Sequence, residues 1–109
     1  MLGELEPAAA LREAIDEGTI QVPGAPSALV ARIIERYEYP AAYVSAAALA
    51  HSVLGFPDLG LITLTELVEQ TRSIWRATNI PLIVDAGGGF GEAMQVERTV
   101  MELEAAGAA

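Results

Sequence analysis

The sequence predicts an α/β chain, an N-terminal helix followed by three βα units, on three observations. Short apolar runs with β-branched residues recur at residues 19–23, 41–45 and 81–85. Each is followed, after a turn, by a segment whose apolar residues fall at helical spacing. The third run, Leu82, Ile83 and Val84, is continuously apolar rather than alternating, the mark of a strand covered on both faces. Strands of this kind alternating with amphipathic helices form a parallel sheet under helices, with right-handed crossovers.

The elements follow in order. Over residues 7–17 the apolar positions are Leu5, Ala8, Leu11 and Ile15, with Pro7 in the first turn and Gly18 just past the end. Residues 19–23 read as a strand stopped by Pro23 and Gly24. Pro26 opens a helix to about Tyr37, with Leu29, Val30, Ile33, Ile34 and Tyr37 on its inward face. After Pro40 comes the second strand, residues 41–45, then a small, apolar helical turn over 46–54. Gly and Pro make 55–60 a loop. Thr63 and Glu66 have the spacing of a capping box, in which hydroxyl and carboxylate satisfy orphan helix donors. The helix behind it carries Leu64, Leu67, Val68, Thr71, Ile74 and Trp75 on one stripe and ends near Asn79. The third strand, 81–85, a glycine-rich loop, 86–91, and a helix over 92–106 complete the chain. That last helix turns Val96, Val100 and Leu103 inward, and Gly107 stops it.

Residues 1–109 make one partial domain, which ends where a fourth strand would begin. Two closures are open: a doubly wound sheet, or the start of a (β/α)8 barrel. A barrel takes about 250 residues.

Composition excludes several functions. Fifteen acidic residues against six basic ones give a net charge of −9, and all six basic residues are Arg. Such a chain cannot neutralise phosphates with a basic patch, so no nucleic-acid partner is expected. Absence of Cys removes disulfides, thiolate metal sites and a thiol nucleophile. No apolar run approaches the roughly 18 residues of a membrane span. The acidic first residues are unlike a signal or transit peptide, so the expected compartment is the cytoplasm.

In parallel α/β folds the chemistry gathers past the C-terminal ends of the strands. Two of the three Asp residues fall there: Asp85 ends the third strand and Asp58 lies in the loop after the second. A carboxylate ending an apolar run must be paired, capped or metal-bound. With no Lys in the chain, a hard dication such as Mg²⁺ or Mn²⁺ is one partner. The other reading is that Asp85 caps the next helix or accepts loop amides. The loop over 86–91 is a tight turn or an anion site. It fails both the phosphate-loop and the dinucleotide patterns, since no Lys follows and Glu92 stands where a Gly is needed. Ser45 is a candidate donor or nucleophile without a His–Asp partner, and Tyr43 either packs in the core or faces substrate. His51, the single histidine, reads as a surface residue, and Trp75 and Tyr37 as helix faces packed on the sheet.

Six segments together resemble the isocitrate lyase/phosphoenolpyruvate mutase superfamily. They are QVPGA at 21–25, AYVS at 42–45, GFPDLG at 55–60, LTE at 64–66, LIVDA at 82–86 and GFG at 89–91. Its short members include 2-methylisocitrate lyases, oxaloacetate decarboxylases and carboxyvinyl-carboxyphosphonate phosphorylmutases. The resemblance implies that this chain is the N-terminal helix and first three βα units of a (β/α)8 TIM-type barrel. The implied enzyme is a cytoplasmic, tetrameric carbon–carbon lyase or phosphomutase using Mg²⁺ (or Mn²⁺). It acts on a small 2-oxo or 2-hydroxy carboxylate or phosphonate through an enolate-like intermediate. It implies Asp85 as principal metal ligand, Asp58 as holder of a metal water or substrate, and Tyr43 as an active-site wall with a catalytic role beside Asp58. Ser45, Ala46 and Ala47 match the segment that grips substrate.

Three departures bear on this. The family's D-A-D-T-G-F/Y-G is here DAGGGFG, so Gly87 replaces an acidic residue. Ala46 replaces a glycine where backbone approaches substrate. The later barrel strands and the family's K-K-C-G-H gating loop would follow Ala109. The 109-residue chain alone is therefore expected to be inactive and, with open parallel edges, prone to associate. The alternative is a metal-deficient barrel piece with a binding or structural role.

Overall fold

A computed structural model of the chain describes residues 6–109. Leu5, counted above with the first helix, and the acidic start at residues 1–5 lie outside them. Helix α1 is Pro7–Asp16, α2 Ala28–Arg36, α3 Ala46–Ala48, α4 Leu64–Ala77 and α5 Ala93–Ala105. Strand β1 is Ala42–Ser45 and β2 Leu82–Asp85. None of these helices is long and apolar enough to cross a membrane.

β1 and β2 pair in parallel, with Ala42 opposite Leu82 and Ser45 opposite Asp85. The expected first strand is not formed as one. Only Gly24 bridges to Tyr43: the Tyr43 N–H donates to the Pro23 carbonyl and the Ala25 N–H to the Tyr43 carbonyl. Pro23 and Pro26 lack the N–H groups that a longer ladder needs, so one rung remains. On the far edge of β2, Ala108 bridges to Leu82 and the Ala109 N–H donates to the Leu82 carbonyl. Four segments thus lie side by side in chain order: 23–25, β1, β2 and 108–109.

One face of the sheet is covered. Ala42, Val44 and Leu82 are buried under α2, α4 and α5 together with Ala31, Ile34, Leu67, Val68, Ile74 and Leu103. Each large apolar side chain so buried contributes roughly 1.5–3 kcal/mol. The stripe expected on α4 is the one observed, with Thr71 in it as a buried hydroxyl that finds no partner among the described residues. The capping box forms: the Glu66 N–H donates to Thr63 Oγ1 and the Thr63 N–H to Glu66 Oε1.

On α2 the inward face agrees with the expected one at Ile34 and at Val30, which packs against the core, and differs elsewhere. Ala31 and Ile34 are buried, whereas Leu29 is 70% exposed, Tyr37 is 74% exposed and Ile33 is also exposed. Small Ala31 lets α2 approach closely, which rotates the Leu29 side outward. The helix ends one residue before Tyr37 with Glu38 left-handed at φ +66. The Tyr39 N–H reaches back to the Ile34 carbonyl, a Schellman-type stop made without glycine. On α5, Leu103 faces the core as expected, but Val96 and Val100 are exposed and Thr99 is buried in their place. The Thr99 hydroxyl lies 2.7 Å from the Gly89 carbonyl and 2.9 Å from that of Gln95, so a polar side chain is satisfied there.

The turn after β1 is longer than one helical turn: α3 widens into a π-helix, Leu49–Leu54, which Gly55 ends at φ +72. Past α5, Gly107 adopts φ +112 directly against the Trp75 ring, where a Cβ would collide.

Two substitutions grade these contributions. Thr63→Ala removes the cap and lowers stability by about 1 kcal/mol. Gly107→Ala combines a left-handed conformation with a clash and loses about 2–3 kcal/mol. Urea unfolding followed by circular dichroism should rank them in that order.

Candidate active site

Side chains alternate along a strand, so Tyr43, Ser45, Ile83 and Asp85 share the face turned away from the helices. Tyr43, Ser45 and Ile83 are half-buried there, and Asp85 is exposed. Asp85 is therefore not buried by the apolar run that leads to it. Nor does Asp85 cap α5, whose N-cap is Glu92.

Instead Asp85 is held from two sides. The Gly87 N–H donates to Oδ1 at 2.8 Å and the Tyr43 hydroxyl to Oδ2 at 2.8 Å. Gly87 can do this because it is left-handed, φ +57, and folds its amide back onto the preceding carboxylate. Tyr43 can because Ile83 is its register partner and Asp85 lies two residues on, a diagonal within reach of an aromatic side chain. These bonds favour the charged carboxylate. The Gly87 amide first and the Tyr43 hydroxyl second hold Asp85 below the ordinary aspartate value of 3.8, against slight opposition from burial. The same bond raises Tyr43 above 10.0, with desolvation and the Asp85 charge adding to it. At neutral pH the pair is a phenol and a carboxylate.

Ser45 ends β1 opposite Asp85 and is the N-cap of α3, its Oγ accepting the Ala48 N–H at 3.3 Å. Ala46 and Ala47 occupy the first positions of that helix, where N–H groups have no intrahelical acceptor. Asp58 is exposed and lines a cavity of about 340 Å³ with Ala46, Gly60, Ile62, Gly87 and Phe90. The structure thus brings the Asp58 loop against the residues that directly follow Ser45 and Asp85. His51 is exposed on the π-helix. Among the described residues no group of three or more His, Cys, Asp or Glu could hold a metal ion.

Among the lining residues that sequence reasoning missed are two large apolar ones, Ile62 and Phe90. Phe90 is left-handed at φ +66, uncommon for a bulky residue. An aromatic residue between Gly89 and Gly91 was the available signal. The loop holds it there through the Gly89 N–H on the Ala86 carbonyl and the Thr99 hydroxyl on the Gly89 carbonyl.

The paired shifts set the direction of the pH response. Asp85 titrates lower folded than unfolded, so its stabilisation is present above 3.8 and is lost as pH falls through the folded value. Tyr43 titrates higher folded than unfolded, so its stabilisation is present below 10.0 and is lost as pH rises through the folded value. Carbon-detected NMR should find the Asp85 midpoint below 3.8. Tyr43→Phe should move it upward without reaching the ordinary value, since the Gly87 amide remains. An unmoved midpoint means the Tyr43 bond is not made in solution.

Comparison with known proteins identifies the family. The sequence profile of phosphoenolpyruvate phosphomutase matches residues 11–109. The chain is 53% identical over 104 residues to a 2-methylisocitrate lyase of Aeropyrum pernix, covering 94% of this chain and 33% of that protein. It is 51% identical over 82 residues to an oxaloacetate decarboxylase of Bradyrhizobium sp., covering 75% of this chain and 28% of that protein. Among solved structures it matches a phosphonopyruvate hydrolase complexed with oxalate and Mg²⁺ at TM-score 0.87 and 32% identity, covering 95% of this chain and 37% of the other. The chain spans about a third of the length of the 2-methylisocitrate lyase it matches. With a profile match over nearly its whole length and an α/β fold shared with these enzymes, this chain belongs to the phosphoenolpyruvate phosphomutase family.

Proposed function

We propose that the chain supplies the N-terminal helix and opening βα units of a (β/α)8 barrel. In a protein of its relatives' length, that barrel would be a Mg²⁺-dependent lyase or phosphonomutase for a small 2-oxo or 2-hydroxy acid. The side-by-side order of 23–25, β1, β2 and 108–109 supports a barrel over a doubly wound sheet. A doubly wound sheet reverses strand order at its switch point, and no reversal occurs here. α2, α4 and α5 lie side by side on one face, as in a barrel wall.

The observation that carries the functional reading is the ionised Asp85 at a strand end, oriented by Tyr43 and the Gly87 amide beside the Asp58 cavity. A dication fits this donor set. One hydrogen bond on each Asp85 oxygen leaves a lone pair on each, and Mg²⁺ takes one or two carboxylates and completes its shell with water. Asp85 would bind directly and Asp58 through water. When bound, the cation supplies electrophilic stabilisation of negative charge developing on substrate oxygens.

The chain's own groups do the rest. Tyr43 keeps its proton and fixes the Asp85 carboxylate. The unpaired N–H groups of Ala46 and Ala47 and the Ser45 hydroxyl receive a carboxylate or phosphonate. Ile62 and Phe90 keep water from that end of the cavity.

One observation favours a second reading, a barrel piece without metal. The Gly87 amide occupies Asp85 Oδ1 where the family pattern has a further acid. Titration calorimetry with Mn²⁺ and oxalate separates the two. The first reading expects saturable heat that Asp85→Asn abolishes. The second expects none at millimolar metal until Gly87→Asp restores the missing carboxylate. The space around the Gly87 Cβ position is open, and Asp tolerates the left-handed backbone. Silence from both the natural chain and Gly87→Asp would count against any metal role.

A further inference from the structure

The loop over 86–91 and the first turns of α5 are built against one another. Gly89 is buried, and a Cβ on it would stand 2.6 Å from Val96 Cγ2. A Cβ on Gly91 would stand 2.6 Å from that of Gln95. Thr99, one turn further along α5, is 2% exposed, and its hydroxyl lies 2.7 Å from the Gly89 carbonyl.

A threonine inside a helix ordinarily spends its hydroxyl proton on the carbonyl four residues back. That acceptor, the Gln95 carbonyl, is present at 2.9 Å. A hydroxyl has one proton to give. The Gln95 carbonyl has the helix ladder to serve it, whereas no other donor among the described residues serves the Gly89 carbonyl. A buried carbonyl without a donor is costly, so the proton belongs to Gly89.

Holding the Gly89 carbonyl fixes the planar peptide unit that leads into Phe90. Phe90 is left-handed at φ +66, a conformation that a bulky residue keeps only where its surroundings over-determine it. Its side chain lines the cavity together with Asp58, Ala46 and Gly87. A chain of contacts thus runs from a buried hydroxyl on α5, through one carbonyl, to the wall of the cavity. Thr99 itself does not line that cavity.

We propose that Thr99 is a positioning residue of the candidate site. Its hydroxyl, acting through the Gly89 carbonyl, keeps Phe90 left-handed and so sets the wall against which the small acid binds. This rests on the reading of the cavity as a substrate site. Thr99 is uncharged and remote from the ligand, so its whole contribution is the shape it imposes.

The two phenylalanines of the chain, Phe56 and Phe90, make the test direct. Fluorine NMR of a chain labelled with 4-fluorophenylalanine gives two lines, which Phe56→Leu assigns. Thr99→Val keeps the size of the side chain and removes the hydroxyl. It should shift the Phe90 line and weaken the strong amide-to-α-proton contact that a left-handed residue shows. Thr99→Ser should restore both. Thr78→Val is the control, because Thr78 is also buried but its hydroxyl serves the Ile74 carbonyl of α4; it should leave the Phe90 line in place. Calorimetry with Mn²⁺ and oxalate should show Thr99→Val binding about tenfold more weakly than the natural chain, and Thr99→Ser binding as the natural chain does. Circular dichroism checks folding, and Thr99→Ala takes the place of Thr99→Val if that variant does not fold. A Phe90 line unmoved by loss of the hydroxyl overturns the proposal. So does a line moved alike by Thr99→Val and Thr99→Ser, since packing and not the hydroxyl would then hold the loop. Unchanged oxalate binding after the line has moved overturns it as well. A natural chain that binds no oxalate refutes the reading of the cavity instead, and the fluorine lines then decide the role of Thr99 by themselves.

Discussion

The parallel register of β1 on β2 is the constraint on which the rest of the molecule depends. With Ala42 opposite Leu82 and Ser45 opposite Asp85, alternation sends Ala42, Val44 and Leu82 into the helices and Tyr43, Ser45 and Asp85 to the other side. A slip of one residue would bury the carboxylate and the phenol and expose the core. The same pairing that builds the hydrophobic core therefore presents the polar groups, and the two cannot be altered independently.

Much of this was legible because the signals were local. The capping box at Thr63 and Glu66, the α4 stripe and the strands around Tyr43 and Ile83 depend on residues near one another in sequence, and all are present. The expected first strand failed at Pro23 and Pro26, where apolar content favoured a strand and missing N–H groups forbade a ladder. The faces of α2 and α5 were partly misjudged because an apolar stripe wider than the contact leaves a choice. Close approach at Ala31 and a satisfied hydroxyl at Thr99 made that choice. Neither can be seen without the neighbouring element.

The candidate site shows the same division. Asp85 and Ser45 were marked by strand ends, Asp58 by the loop after the second strand, and Tyr43 by its strand and the family resemblance. Their connection, Tyr43 on one oxygen of Asp85 and Gly87 on the other, needs the register and a left-handed turn that composition alone does not fix. Gly87 has a double effect: it lacks the acidic side chain of the family pattern, yet its backbone supplies the strongest influence keeping Asp85 charged.

Trp75, the single tryptophan of the chain, lies against Gly107 at the point where the last helix gives way to the segment that joins β2. Its indole is therefore a built-in optical reporter. Emission from this one ring follows the seating of the C-terminal turn, apart from the titration of Asp85 and from any ligand at the opposite face of the sheet.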